Sequence, residues 1–181
     1  MSLSKEKKII VQAAKQSGKA LLRYYGKNKK IKEKSNKSLV SKADLEANKA
    51  IIRIIKKNFP GHSILSEESG FDDKKSDYKW VIDPLDGTHN FIHGIPIFGT
   101  SIALEYKNEV VLGALNFPVL KILAFAEKGK GAFVNGKMAG VSNKGELSYS
   151  FISVDYGQYD RKQRLKMLEN FEDKNIDFRS F

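Results

Sequence analysis

The chain has 181 residues, of which 41% are hydrophobic and 10% aromatic, so it is long enough for one domain with a substantial core and unlike an intrinsically disordered protein. The absence of cysteine excludes disulfides, thiolate metal sites and a cysteine nucleophile. The net charge of +11 suits either nucleic acid or an anionic small molecule, and composition alone does not choose between them.

Two further patterns bear on where the protein acts and on its partners. No apolar run reaches about 18 residues and no apolar signal core follows the charged amino terminus, which favours a cytoplasmic protein without a membrane segment. The lysines are scattered along the chain rather than gathered in a nucleic-acid-binding module. We therefore expect most of them to be solvated, and nucleic acid is kept as a secondary candidate partner.

The amino-terminal part of the chain predicts two helices. In residues 4–25 apolar side chains recur at helical spacing, and Gly26 can end the run. The lysine-rich residues 27–37 predict a loop or an irregular hairpin. Residues 41–44 have the spacing of a capping box and predict the start of a second helix, which stops at residues 60–61, a Pro-Gly pair. We expect both helices to lie on the same sheet.

Short segments of strand character follow, separated by turn residues, and together they predict an antiparallel meander. The strongest turn signal is Asn135-Gly136, which is typical of a two-residue hairpin. The predicted strands cover residues 63–66, 78–83, 98–105, 110–117, 122–126 and 132–134.

After the meander the pattern changes to that of an α/β unit. Residues 147–154 predict a strand, residues 160–171 a helix, and a second strand begins at Ile176. The sequence therefore predicts an α+β domain at 1–145 and the beginning of a second α/β domain at 146–181. Because an apolar strand without a closing element leaves an exposed edge, we expect either that a carboxyl-terminal part is missing or that something else covers that edge.

Residues 80–96, WVIDPLDGTHNFIHGIP, carry the most chemical information. A predicted strand ends at Asp83, a proline stiffens the exit, and Asp86 follows three residues later. Two carboxylates held this close repel each other and raise each other's pKa unless a cation lies between them. Since Mg²⁺ prefers carboxylate and carbonyl oxygens, Asp83, Asp86 and the carbonyl of Leu85 form a suitable half-site. The acidic pair at residues 67–68 can supply the remaining negative charge.

Gly87 and Thr88 suit a different part of the same chemistry. Backbone amides at the start of a helix lack internal partners, so a glycine-led turn there can bind a phosphate oxygen. The hydroxyl of Thr88 can orient a water molecule, with Asp44 behind it if the second helix packs alongside. The resulting scheme is in-line attack of metal-activated water on a phosphate monoester, without a covalent intermediate.

Four segments, in family order, resemble elements of the inositol monophosphatase family. The resemblance implies an α+β / α/β layered sandwich of the inositol monophosphatase-like (sugar phosphatase) fold, in which helices pack on an antiparallel sheet and a second α/β domain begins. It would place the metal and phosphate site in the domain at 1–145. The segments are residues 39–44 (LVSKAD), residues 60–63 with 67–68 (PGHS with EE), residues 80–96, and residues 128–136 (KGKGAFVNG).

The resemblance also implies a set of metal ligands. Glu68, Asp83 and the carbonyl of Leu85 would hold one Mg²⁺, while Asp83 and Asp86 would share a second. Glu67 would lie beside them with a catalytic role. Magnesium is therefore the expected cofactor.

For the substrate, the resemblance implies a small phosphorylated polyol, above all myo-inositol monophosphate. Asp86, Gly87 and Thr88 would contact it, and Thr88 with Asp44 would activate the attacking water. A homodimer is also what the resemblance implies. The enzyme would be a phosphoric monoester hydrolase.

Two departures from the family pattern qualify this expectation. His89 stands where the family usually has a second small hydroxylated residue. Family members also continue into a second α/β domain, whose tryptophan-aspartate motif supplies a further metal ligand and contacts to the sugar ring, and the only tryptophan here is Trp80. We therefore expect this chain by itself to bind the metals weakly and to be a poor catalyst.

Other functions and simpler structural roles stay open at this stage. The alternatives are a fructose-1,6-bisphosphatase or nucleotide 3′-phosphatase of the same superfamily, or a non-catalytic scaffold that binds RNA or a transcription complex. Asp44 could be only a helix cap, and residues 67–68 could be only a solvated pair. His89 and His93 have the spacing of a zinc pair but lack the intervening glutamate. Residues 128–131 resemble a phosphate cradle but are better interpreted as a hairpin turn.

Overall fold

The computed structural model describes residues 3–27, 33–143, 151–153, 162–163, 165–166, 169 and 177–179. The chain divides into two compact units, Met1–Ala139 and Gly140–Phe181. No helix among these described residues is long and apolar enough to cross a bilayer. The assignment of 1–145 and 146–181 as two domains stays a prediction.

Two long helices precede the sheet. The first, α1, spans Ser4–Leu22, and its apolar stripe is buried, which confirms the first predicted helix. The second, α2, spans Glu33–Asn58. Its start was predicted wrongly at residues 41–44, and the predicted loop at 27–37 is wrong from Glu33 onward. Since no glycine or proline lies within α2, nothing in its sequence stops the helix from extending back beyond residue 41.

The described residues of the first unit form a sheet of eight strands, and a short helix, α3 (Thr88–His93), follows its third strand in the chain. The strand order is β2-β1-β3-β4-β5-β6-β7-β8. The strands are β1 (Ser63–Ser66), β2 (Gly70–Asp72), β3 (Tyr78–Asp86), β4 (Gly99–Tyr106), β5 (Glu109–Phe117), β6 (Ile122–Glu127), β7 (Gly131–Val134) and β8 (Lys137–Ala139).

The predicted meander is confirmed from β3 to β8, where each strand pairs antiparallel with the next. The exception is the pair of β1 and β3, which is parallel, with Ser66 opposite Ile82. The strand β2 was not predicted, since it has three residues and none of them is buried. The turn at residues 128–131 joins β6 to β7, as expected of a hairpin.

Both helices pack on the same sheet and form its main core. Ala13 and Ala14 of α1 are fully buried, and such small side chains let a helix lie close to the strands. Trp80 at the centre of β3 is also fully buried, and its Nε1 donates to His62 Nδ1 at 3.1 Å. The layered arrangement of helices on a largely antiparallel sheet is therefore confirmed. Further members of this core are Ile10, Ile51, Ile55, Ile82, Ile102, Leu104 and Leu112.

The second unit contains two described strands, β9 (Phe151–Ser153) and β10 (Asp177–Arg179), which pair in parallel. Residues 162–163, 165–166 and 169 between them are helical. Parallel neighbours require a crossover connection, so this order agrees with the predicted strand, helix and strand. The remainder of the predicted strand at 147–154 and of the predicted helix at 160–171 lies outside the described residues.

Gly18 offers a test of how closely α1 packs on the sheet. A Cβ atom at this position would collide with the side-chain amide of Asn116 and lie 3.2 Å from Cβ of Pro118. That amide cannot move freely, because it donates to the carbonyl of Ala14 at 2.9 Å. We expect Gly18→Ala to lower the free energy of unfolding by about 1–3 kcal/mol, although the same change in an exposed helix stabilises by about 1 kcal/mol.

Urea denaturation measures this effect, with Gly113→Ala as the matched control. A Cβ at Gly113 would meet no atom within 4 Å. The control should therefore stay within about 0.5 kcal/mol of the parent chain. A Gly18→Ala protein as stable as the parent would contradict the close packing of α1.

Candidate active site

The strand β3 delivers two carboxylates to one edge of the sheet. It continues past the predicted end at Asp83 as far as Asp86, and its register with β4 shifts between these two residues. Such an irregularity changes the direction in which side chains point. Pro84 and Leu85, which lie between the carboxylates, are both buried, whereas Asp86 is exposed.

The parallel neighbour β1 brings a second acidic pair to the same edge. Its last residue, Ser66, pairs with Ile82, and the amide of Glu67 donates to the carbonyl of Ile82 at 3.2 Å. Glu67 and Glu68 therefore leave β1 beside the point where Asp83 begins the turn of β3. The structure thus brings together the predicted acidic residues of both strands.

Asp44 reaches the same cluster from α2. Burial, followed by the negative charges of Glu68, Glu67 and Asp83, raises the pKa of its carboxyl to about 7. The carboxyls of Asp44 and Glu68 lie within hydrogen-bonding range, and Oδ1 of Asp44 is buried without a hydrogen-bond partner. Asp44 lies inside α2 rather than at its start, so its interpretation as a helix cap is wrong.

Asp83 experiences the same kind of repulsion. Burial is the first cause that raises its pKa to about 6, and the charges of Glu67 and Asp86 add to it. One opposing contact is the hydrogen bond that the amide of Leu85 donates to Oδ1 of Asp83 at 3.1 Å. A carboxylate accepts but does not donate, so neighbouring carboxylates satisfy each other only when one of them is protonated.

The donor set fits a hard divalent cation in its chemistry. It consists of carboxylate and carbonyl oxygens, its negative charges repel one another, and one buried oxygen has no donor. The side chains lie as neighbours, Asp44 with Glu68 and Glu67 with Asp83. Across the described ranges, no three acidic, histidine or cysteine side chains are arranged to hold one ion.

The assignment of Glu68, Asp83, Asp86 and the Leu85 carbonyl as ligands stays a prediction. The pair His89 and His93 belongs to no potential three-ligand group in the described part of the chain. The geometry places negatively charged side chains close together, and this is what cation binding requires.

Gly87 and Thr88 turn the chain from β3 into α3. Gly87 has a φ of 79°, and a Cβ there would lie 2.9 Å from the carbonyl of Ile97, so both the dihedral angle and the space require glycine. The hydroxyl of Thr88 donates to the carbonyl of Leu85 at 3.1 Å. Towards a water molecule, this hydroxyl is therefore an acceptor. Thr88 also contacts the same carbonyl that was predicted as a metal ligand.

Two buried polar pairs beneath the cluster were missed by the sequence analysis. Ser66 Oγ donates to Asn48 Oδ1 at 2.8 Å, which ties the end of β1 to the helix that carries Asp44. Ser17 Oγ and Thr100 Oγ1 are 2.7 Å apart beneath the turn of β3. Ser17 occupies a position in the apolar stripe of α1, and a polar residue at such a position is the signal that could have revealed its role.

The comparison with protein families decides the relationship. The model of the inositol monophosphatase family matches residues 2–178. The chain belongs to the inositol monophosphatase family. A relative from Aquifex aeolicus (strain VF5), named fructose-1,6-bisphosphatase/inositol-1-monophosphatase, is 39% identical over 165 residues, which are 90% of this chain and 62% of that protein. An inositol monophosphatase of Dictyostelium discoideum is 41% identical over 172 residues, 92% of this chain and 62% of that protein.

A solved structure confirms the fold of this family member. The extragenic suppressor protein SuhB of Bartonella henselae superposes with a TM-score of 0.83 at 34% identity, over 98% of this chain and 68% of that chain. The predicted inositol monophosphatase-like fold is therefore confirmed. The chain spans 62% of the length of the two curated relatives described above.

The raised pKa of Asp44 makes stability depend on pH. The folded protein holds a proton at Asp44 up to about pH 7, whereas an ordinary aspartate with a pKa of 3.8 releases it much earlier. Stability therefore falls as pH rises between these two values. In buffer without divalent cations, we expect Asp44→Asn to raise the free energy of unfolding at pH 8 by about 1–2 kcal/mol, allowing for solvent screening of a half-exposed group.

This gain should shrink towards zero at pH 4, where Asp44 is protonated in the folded protein. Denaturant titrations at both pH values check the trend. Asp77→Asn is the control, since the side chain of Asp77 is exposed and its Oδ2 lies 3.9 Å from Nζ of Lys107. Equal gains at both pH values, or a loss at pH 8, would show that Asp44 is not held among like charges.

Proposed function

We propose that the protein hydrolyses a small phosphate monoester in a Mg²⁺-dependent reaction, with myo-inositol monophosphate as the foremost substrate. The observation that carries the proposal is the group of carboxylates at the shared edge of β1 and β3, where the pKa of Asp83 is raised to about 6 and that of Asp44 to about 7. Raised carboxyl pKa values that arise from burial together with specific charged neighbours are typical of functional sites. A cluster of this kind needs positive charge, which a divalent cation supplies.

The candidate ligands come from the residues that follow β1 and from the end of β3. Glu68, Asp83 and the carbonyl of Leu85 would hold one Mg²⁺, and Asp83 with Asp86 would hold a second. The chemistry that Mg²⁺ supplies when bound is neutralisation of phosphate charge and acidification of water. Oxygen donors with excess negative charge are what this ion prefers.

The chain's own residues then provide binding and proton handling. The turn at Gly87 leads into the first amides of α3, which have no side-chain cap and can donate to a phosphate oxygen. Thr88, whose hydroxyl proton is donated to Leu85, would accept a hydrogen bond from the attacking water. Asp44, with its unpartnered oxygen, would take up the proton of that water, and Glu67 would assist.

The names of two relatives support an order of candidate substrates within this class. The Aquifex protein is named for both fructose 1,6-bisphosphate and inositol 1-phosphate, and the Dictyostelium protein for inositol monophosphate. We propose inositol monophosphate first and a sugar bisphosphate second. A homodimer in the cytoplasm is part of the same proposal.

A substitution at Asp83 tests this function. We expect phosphate release from myo-inositol 1-phosphate to require Mg²⁺ and to fall by about 100-fold or more in Asp83→Asn. The variant loses a carboxylate that would hold Mg²⁺ beside the reacting phosphate. Asp77→Asn should leave the rate unchanged. The assay measures inorganic phosphate, with fructose 1,6-bisphosphate and a nucleoside 3′-phosphate as comparison substrates.

Both the 181-residue chain and any longer chain encoded in the same reading frame are assayed. The shorter chain should be the slower of the two, since the family resemblance assigns one metal ligand and the sugar contacts to a further domain. Absence of Mg²⁺-dependent phosphate release from the longest chain would refute the proposal. So would an Asp83→Asn protein with the rate of the parent chain.

A further inference from the structure

A buried pair of hydroxyl groups lies beneath the turn that joins Asp83 to Asp86. Ser17 comes from α1 and Thr100 from β4, and the two residues are 0% and 1% exposed. Their hydroxyl oxygens are 2.7 Å apart, and Thr100 Oγ1 donates to the carbonyl oxygen of Pro84 at 3.0 Å. One backbone atom, the oxygen of Pro84, therefore receives support from both a helix and a neighbouring strand.

The direction of the hydrogen bonds follows from the number of protons. A carbonyl only accepts, so Thr100 uses its single hydroxyl proton on Pro84. Ser17 Oγ is 3.5 Å from that carbonyl but 2.7 Å from Thr100, and the shorter distance favours donation to Thr100. Donation therefore runs from Ser17 through Thr100 to Pro84, and each bond polarises the next.

The position of Thr100 in the sheet explains why a side chain, and not a backbone amide, donates to the carbonyl of Pro84. The strand β3 pairs with β4 up to Asp83 and again at Asp86, and the register shifts between them. Thr100 lies opposite the shifted stretch, because its two chain neighbours pair with Asp83 and Asp86. Its hydroxyl thus takes the place of a backbone donor for Pro84.

A rigid unit connects this hydroxyl to the Asp83 carboxylate. The carbonyl of Pro84 and the amide of Leu85 belong to one planar trans peptide, in which the two groups point in opposite directions. The Leu85 amide donates to Oδ1 of Asp83 at 3.1 Å. Because the peptide is rigid, a hydroxyl that holds the Pro84 carbonyl in place also sets the direction of the Leu85 amide. The amide in turn orients the Asp83 carboxylate, to which it donates.

We propose that Thr100, supported by Ser17, is a positioning residue for the divalent-cation site. It sets the plane of the peptide between Pro84 and Leu85, and hence the direction of the Asp83 carboxylate, without touching cation or substrate. The inference rests on the proposed function, because it assigns the effect to cation binding at Asp83. Loss of a group that orients a metal ligand typically weakens metal affinity by about 10–100-fold.

The test measures Mn²⁺ binding to the 181-residue chain by isothermal titration calorimetry. We expect Thr100→Val, which keeps the shape of the side chain and removes the donor, to raise the dissociation constant by about 10–100-fold. Thr100→Ser keeps the donor and should bind like the parent. Hydrogen exchange of the Leu85 amide is the second readout, and it should become faster in Thr100→Val without any metal.

The matched control is Asn116→Ala. Asn116 is also buried and also ties α1 to the sheet, through the bond from Nδ2 to the carbonyl of Ala14 at 2.9 Å. It lies on β5 opposite Thr100 in the sheet, and its side-chain bond runs to α1 rather than to Pro84. If Thr100→Val acted only by loosening the packing between α1 and the sheet, Asn116→Ala would weaken Mn²⁺ binding too. The positioning role instead predicts that Asn116→Ala leaves Mn²⁺ affinity and Leu85 exchange unchanged.

If Thr100→Val does not fold, Ser17→Ala takes its place, because it removes the support of Thr100 and leaves Thr100 itself intact. It should weaken Mn²⁺ binding and speed Leu85 exchange in the same direction. A folded Thr100→Val or Ser17→Ala protein with the parent's affinity overturns the inference, and so does a Thr100→Ser protein as weak as Thr100→Val. An equal weakening in Asn116→Ala also overturns it.

Asp83→Asn separates this inference from the proposed function. If the parent binds Mn²⁺ and Asp83→Asn does not, an unchanged affinity in Thr100→Val refutes the positioning role alone. If the parent binds no Mn²⁺, or Asp83→Asn binds it as tightly as the parent, the positioning role is refuted, and Mg²⁺-dependent phosphate release from the longest chain then decides the proposed function separately.

Discussion

Parallel pairing of β1 with β3 places the ends of two strands at one edge of a sheet whose other pairs are antiparallel. Because Ser66 lies opposite Ile82, the next residues, Glu67 and Asp83, follow side by side. Asp44 joins them from α2, and burial with mutual repulsion raises its pKa to about 7. A fold that holds like charges together loses stability, and functional sites are where proteins tolerate such a loss.

Much of the first unit could be predicted from local sequence. The stripe of α1 and the hairpin at Asn135-Gly136 are encoded within a few residues, so periodicity and turn chemistry identify them. The parallel partner of β3 could not be predicted, because alternation within a strand does not name its neighbour. The start of α2 was misplaced, since residues 41–44 carry a capping pattern that a longer helix simply absorbs.

The candidate site shows the same division between local and long-range information. Asp83, Asp86 and Gly87 stand in one contiguous motif, and the sequence alone indicated their chemistry. The environment of Asp44 depends on how a helix meets two strands, so its raised pKa could not be read from its neighbours in the chain. Thr100 lies 16 residues from Pro84, and its hydroxyl became meaningful only once the register shift in β3 was known.

The central claim is that the carboxylates at the shared edge of β1 and β3 gather around a divalent cation. Anomalous diffraction from crystals grown with Mn²⁺ tests it most directly. The account predicts a peak at about 2.1 Å from carboxylate oxygens of Asp83, with Asp86 or Glu68 completing the contact. A well-ordered turn without a peak, or a peak held only by residues elsewhere on the surface, would contradict it.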